Sequence, residues 1–227
     1  MDFIFLHVGS DIRPYFLVKS IRKFFKNAKI IQCSDLLTQQ VDGVDEVLRH
    51  DGDISNLMTF RLEVFSLINI KNLSIFLDTD MLVLNEFNLD DFSEIDAVLC
   101  KRSFGLNLPL NISFRGMDLS EYKNQTLGTV YPYLACFTAV RSKEFWKEAN
   151  NILSLLDNKF HYWYGDQEAL KKIATSNKFK ISTVAEASFA CLPEEINKSY
   201  SPNLIHFKGP ARKSLMLEIA NQMGLVK

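Results

Sequence analysis

The chain opens as a strand, a loop, a helix and a second strand, and few architectures accept that order. Phe3 to Val8 is an apolar run that ends at Gly9-Ser10-Asp11. Pro14 suits the first turn of a helix, where a missing N–H costs nothing, and Leu17, Ile21, Phe24 and Phe25 follow at helical spacing. Lys29 to Cys33 reads as the next strand. Strands joined through a crossover helix lie parallel, and a parallel sheet is covered on both faces. The opening therefore predicts an α/β fold whose ligands gather at the carboxyl ends of the strands.

The rest of the chain keeps this rhythm. Val44 to Leu48 is a candidate strand, Asn56 to Ile68 a helix, Leu73 to Leu77 a strand, and Met81 to Leu84 continues apolar. On that helix Leu57, Arg61, Val64 and Ile68 share one stripe, so an arginine stands among apolar neighbours and needs a partner. Asp96 to Cys100 and Tyr133 to Val140 read as strands, while 101–129 has no clear period and reads as an elaborated loop region. Lys143 to Leu156 is an amphipathic helix through Phe145, Ala149, Ile152 and Leu156. A helix from about Asp166 to Ala174 and strands at Ile181 to Val184 and Leu204 to Phe207 follow. A tail helix carries Leu215, Ile219 and Met223. No repeat or composition break marks a second domain, so one domain is expected over 1–211, with a helical tail over 212–227 packed on it.

Composition narrows the partners. Lysine and arginine total 26 against 27 acids, which leaves no net field to hold nucleic acid. A hydrophobic content of 47% in 227 residues supports a buried core and excludes a disordered chain. Cys33, Cys100, Cys136 and Cys191 stand far apart, form no metal-knuckle spacing, and read as reduced packing residues. The first residues lack a basic leader, and no apolar run reaches membrane-spanning length. The expected location is the cytoplasm, with peripheral attachment at the inner face of a membrane left open.

Three segments carry chemistry. Asp78-Thr79-Asp80 leaves the strand Leu73 to Leu77, and alternation along a strand points both carboxylates the same way, so that they can chelate a hard cation. The pattern also occurs at Asp51-Gly52-Asp53, but there the surroundings are polar and demand no compensation. At Asp78 and Asp80 the flanks are apolar, and buried carboxylates require a cation or hydrogen bonds. Near the end, Ile205-His206-Phe207-Lys208-Gly209 places an imidazole, a glycine and basic residues together, followed by Arg212 and Lys213. Such a set can ligate a metal and receive a phosphate, and a histidine at a strand end can equally be a hydrogen-bonded structural residue. Tyr164-Gly165-Asp166-Gln167 suggests a tight turn into a helix, with Asp166 either capping it or facing a sugar.

Taken in order, these segments resemble those of nucleotide-diphospho-sugar transferases of the GT-A fold, and most closely glycosyltransferase family 8. The resemblance implies a Rossmann-like, mixed and mainly parallel sheet flanked by helices. It implies Asp78, Asp80 and His206 as ligands of a divalent metal, commonly manganese, with magnesium also compatible. Gly9, Ser10 and Asp11 would hold the nucleoside, Arg61 would reach the donor beside Thr79, and Lys208, Gly209 and Arg212 would meet its diphosphate. Asp166 and Gln167 match the family's acidic–amide pair beside the transferred sugar. The implied activity is retaining transfer of a hexose from a nucleotide-diphosphate sugar, taken as a UDP-sugar, to a glycan or glycolipid hydroxyl in bacterial surface glycan synthesis. Two departures stand out: Tyr133-Leu134-Ala135-Cys136-Phe137 lacks the asparagine and glycine usual on the acceptor-side strand, and Ala211-Arg212-Lys213-Ser214 replaces the usual Lys-Pro-Trp ending. Ala135 and Phe137 therefore keep open a nucleotide-sugar-binding protein without turnover. A third reading is a haloacid dehalogenase-type phosphatase, since an aspartate pair after an apolar strand also suits a phosphoryl-accepting nucleophile.

Overall fold

The computed structural model describes residues 1–196 and 201–226. The first half contains β1 (Asp2–Leu6), α1 (Arg13–Phe24), β2 (Lys29–Ser34), β3 (Glu46–Arg49), α2 (Leu57–Ser66), β4 (Ser74–Leu77), β5 (Met81–Val83) and β6 (Ala97–Lys101). Next come α3 (Leu127–Val130), β7 (Tyr133–Val140), α4 (Phe145–Ser154), α5 (Asn158–Tyr162) and α6 (Gly165–Thr175). The chain closes with β8 (Ile181–Ala185), α7 (Glu186–Phe189), β9 (Leu204–His206), α8 (Pro210–Lys213) and α9 (Leu215–Gln222).

Seven strands form one sheet in the order β3-β2-β1-β4-β7-β6-β8. The run β3-β2-β1-β4 is parallel, β7 runs antiparallel to both neighbours, and β6 and β8 are parallel to each other. The opening predicts the parallel part, and the mixed, mainly parallel sheet is the one that the resemblance implies. Alternation sorts its core: Phe3, Phe5, Ile75 and Leu77 face α1 through Leu17, Val18 and Ile21. Ile4 and Phe76 face the opposite side, where α2, α4 and α6 supply Leu62, Phe65, Trp146 and Leu170. Each such burial removes a large apolar side chain from water and contributes about 1.5–3 kcal/mol.

Where the structure departs from periodicity, packing is the cause. The helix predicted over Asn56 to Ile68 has no single apolar stripe, because Met58, Phe60, Arg61, Leu62, Val64 and Phe65 are all buried. It touches α4, α5 and α6 as well as the sheet, so nearly its whole circumference is covered. On α4 the buried face is Phe145, Trp146, Ala149 and Leu153 rather than the line through Ile152 and Leu156. The tail helix buries Met216 and Ala220, while Leu215 remains 40% exposed. Together with Leu225 these residues pack on Phe16, Leu82, Ile205 and Phe207. The tail expected over 212–227 thus divides into the end of α8 and then α9, and residue 227 lies outside the described residues. The region 101–129 is more ordered than its sequence suggests: Leu110, Met117 and Leu119 are buried in the core beside α6.

Candidate active site

Parallel strands discharge their polar residues at one edge of the sheet. Beyond β1 come Gly9, Ser10 and Asp11, beyond β2 comes Asp35, and beyond β4 come Asp78, Thr79 and Asp80. The first two exits line a cavity of about 780 Å³ that also takes in His7, Tyr15 and Thr38. Gly9 turns at φ +94°, which an L side chain rarely adopts, and its N–H donates to Thr38 Oγ1 at 2.7 Å. The volume lies within the range of small-molecule sites.

At the third exit the chain leaves the main sheet, and β5 pairs instead with β9 in an antiparallel ladder that sets Met81 opposite His206. The Phe207 N–H donates to the Asp80 carbonyl at 2.9 Å, and the Asp78 N–H donates to the Cys136 carbonyl at 3.0 Å. These main-chain bonds bring His206 to the carboxylates. Its Nε2 lies 3.4 Å from Asp80 Oδ1 and 4.0 Å from Asp78 Oδ2. One ligand atom from each of the three residues falls within 4.8 Å of the others. Two carboxylate oxygens and an imidazole nitrogen suit manganese or magnesium; on the ring's other side, buried His206 Nδ1 has no geometric hydrogen-bond partner among the described residues. The residues present fit a divalent cation. Thr79 lies half-buried between the two acids.

Asp80 has two differently occupied sides. Oδ1 faces His206, whereas Oδ2 faces Lys213 Nζ at 3.1 Å and Arg13 Nη1 at 3.9 Å. Burial opposes the Asp80 charge, but His206 and Lys213 outweigh it and hold the carboxyl well below its ordinary value. Burial also opposes an imidazolium at His206, and its pKa nevertheless stands well above the ordinary value. Burial pushes the neighbouring Cys136 thiol up to about 11, so near neutral pH Asp80 is the anion that matters to His206.

Behind the acids sits Arg61. Its Nη2 donates to Asp78 Oδ1 at 2.7 Å and to the Ala135 carbonyl at 3.0 Å, and its Nη1 donates to Asp166 Oδ2 at 3.0 Å. These are the partners that an arginine in an apolar helix requires. Asp166 is not the cap of α6: Tyr164 occupies that position at φ +62°, and the Asp166 carboxylate turns inward toward Arg61. Burial raises its pKa, with Arg61 opposing the rise. Gln167, half-buried, accepts from Arg102 Nη2 at 3.3 Å through its side-chain oxygen.

Of the basic segment, Gly209 adopts φ +86°, and a Cβ built there meets nothing within 4 Å, so main chain and open space adjoin. Lys208 is largely enclosed, and burial followed by the nearby Arg102 lowers its pKa. Arg212 is engaged elsewhere. Its Nε and Nη2 donate to the Glu194 carboxylate, Nε at 3.0 Å to Oε2, and Nη1 donates to the Lys208 carbonyl at 3.0 Å. Besides Arg61, the cations that reach the acids are Lys213, which the sequence grouped with the basic segment, and Arg13, which carried no signal beyond its charge. Nor did Arg102 and Glu186, which are buried behind Gln167; Glu186 accepts the N–H groups of Ser103 and Phe104 at 2.7 and 2.8 Å. Asp51 and Asp53 lie exposed, and Asp53 serves Ser55 and Asn56.

No protein-family model matches the sequence, and no curated protein matches it. Solved structures do match. Galactosyltransferase LgtC, in complex with donor and acceptor sugar analogs, aligns at a TM-score of 0.61 and 12% identity over 98% of this chain and 96% of that one. The glycosyltransferase GlyE of Streptococcus pneumoniae TIGR4 aligns at 0.62 and 14%, over 96% of this chain and 59% of its own. The bifunctional enzyme WbbM aligns at 0.60 and 13%, over 99% of this chain and 51% of its own. At such identities the likeness is one of architecture, and on that ground the chain has the GT-A fold of these glycosyltransferases.

Proposed function

We propose that the protein is a metal-dependent glycosyltransferase that moves a hexose, with retention, from a UDP-sugar to a hydroxyl of a glycan or glycolipid. The carrying observation is the convergence of Asp78, Asp80 and His206 at the sheet edge that also holds the 780 Å³ cavity. The cavity and the acids are joined through Asp11, which lines the cavity and binds Arg13, whose guanidinium in turn approaches Asp80. A nucleoside in the cavity would therefore direct its diphosphate toward the acids. Asp78, Asp80 and His206 would hold the cation, manganese or magnesium, and when bound it supplies Lewis acidity to a departing nucleoside diphosphate. Thr79 and Gly209 would border the diphosphate with their main chain.

The geometry divides the acidic–amide pair. Asp166 is enclosed and bonded to Arg61, so it orients Arg61 and through it Asp78. Gln167 is only half-buried and its side-chain oxygen is held by Arg102, which supports it as the member to face the sugar. The GT-A architecture favours this reading over a dehalogenase-type phosphatase. The expected setting is the cytoplasm or the inner face of a membrane; among the described residues no helix is long and apolar enough to cross one.

The test is transfer from UDP-hexoses with manganese present. Asp80→Asn is expected to abolish turnover while the fold persists by circular dichroism; wild-type turnover in that variant sinks the assignment. Donor binding by the native chain without transfer or slow hydrolysis would identify it as a binding protein instead.

A further inference from the structure

We infer that Lys213 and Arg13, and not Arg212, are the cations that grip the donor diphosphate; this rests on the nucleotide-sugar reading above. Three observations carry it. First, both approach one oxygen of Asp80, Oδ2, at 3.1 and 3.9 Å, on the side away from His206. The carboxylate is thus divided into a face shared with the candidate metal ligands and a face that gathers positive charge. Second, Arg13 has donor capacity to spare. Its Nε donates to Asp11 Oδ1 at 2.9 Å and its Nη2 to Asp11 Oδ2, but Nη1 is buried and has no hydrogen-bond partner among the described residues. An unpaired buried guanidinium nitrogen costs stability unless something binds there. Asp11 lines the nucleoside cavity, so this nitrogen stands between that cavity and the acids, where a diphosphate must pass.

Third, Arg212 is already engaged at all three of its nitrogens, whereas Arg13 is engaged at two. Glu194 takes its Nε and Nη2, and the Lys208 carbonyl takes its Nη1. Neighbouring helical residues project about 100° apart, from 3.6 residues per turn, which explains how α8 sends Arg212 to Glu194 and Lys213 to Asp80. The Arg212 Nη1 bond to the Lys208 carbonyl ties α8 back to the Lys208–Gly209 turn.

The test is calorimetric titration of UDP and of uridine into the manganese-loaded protein. Lys213→Met and Arg13→Met are each expected to weaken UDP about tenfold, the loss of a charge-assisted phosphate contact. Uridine affinity should stay within about twofold, because the nucleoside carries no phosphate. Lys213→Arg should retain most of the UDP affinity, and Arg212→Met should cost less than Lys213→Met. The inference is overturned if Lys213→Met binds UDP as tightly as the native protein. Equal losses of UDP and uridine, or a larger loss in Arg212→Met, overturn it as well. A native protein that binds neither UDP nor any other nucleoside diphosphate overturns the donor reading itself, an outcome distinct from native binding that the variants leave unchanged.

Discussion

Arg61 is where an apolar helix and an acidic site depend on each other. Its guanidinium is almost wholly buried yet meets Asp78, Asp166 and a carbonyl, so the cost of desolvating it is offset by bonds to all three. Removing one member of such a group strands the others. Arg61→Met is expected to destabilise the protein by about 3 kcal/mol, read as a lower urea midpoint. Adding Asp166→Asn should restore part of that loss, because the uncompensated charge disappears. The helical spacing showed that this arginine needed a partner. It did not show which acid, since Asp166 is remote in sequence and itself read equally well as a helix cap.

At the scale of the element, the entry to α6 decides where Asp166 and Gln167 stand. Tyr164 turns at φ +62° and stacks on Tyr131 with ring centroids 4.5 Å apart. Gly165 then passes so close to α5 that a Cβ would lie 2.2 Å from the Phe160 carbonyl oxygen and 2.5 Å from Leu153 Cδ1. Backbone cannot yield as a side chain would. Gly165→Ala should therefore cost about 2 kcal/mol in the overpacking range and lower sugar transfer, because α6 must shift with its site residues. Unfolding midpoints and turnover of the variant check both parts. From sequence the glycine reads as a turn former. Its actual role is close approach, which depends on where α5 lies.

For the whole molecule, the parallel half of the sheet is tied at its margin by Asp45, whose Oδ2 accepts from the Ile30 N–H at 2.7 Å and from Arg22 Nη2 at 2.6 Å. Burial opposes this charge, but the Ile30 N–H and Arg22 prevail and set the Asp45 pKa below its usual 3.8. A carboxyl that is more acidic when folded adds stability that is complete above the ordinary value and lost as pH falls through the folded one. Native stability should accordingly decline below pH 3.8. Asp45→Asn should show a shallower decline over that interval, measured by denaturant unfolding at successive pH values.

Local pattern was enough to place the strands of the main sheet and the longer helices, because burial imposes a period of two or of 3.6 on them, but it missed the short helices α3, α5 and α7. It singled out Asp78 and Asp80, because acids between apolar runs need compensation, but left His206 open as a structural residue; only the resemblance in segment order joined it to the two acids. It misplaced the buried faces of α2, α4 and α9, since a period does not say how many neighbours a helix has. Nor could it supply the β5–β9 register that sets Met81 opposite His206, or the turn of α8 that sends Lys213 to Asp80 and Arg212 to Glu194. Periodicity reports that a side chain is buried. Only the packed sheet, with its strand order and its chain crossings, determines what that side chain is buried against.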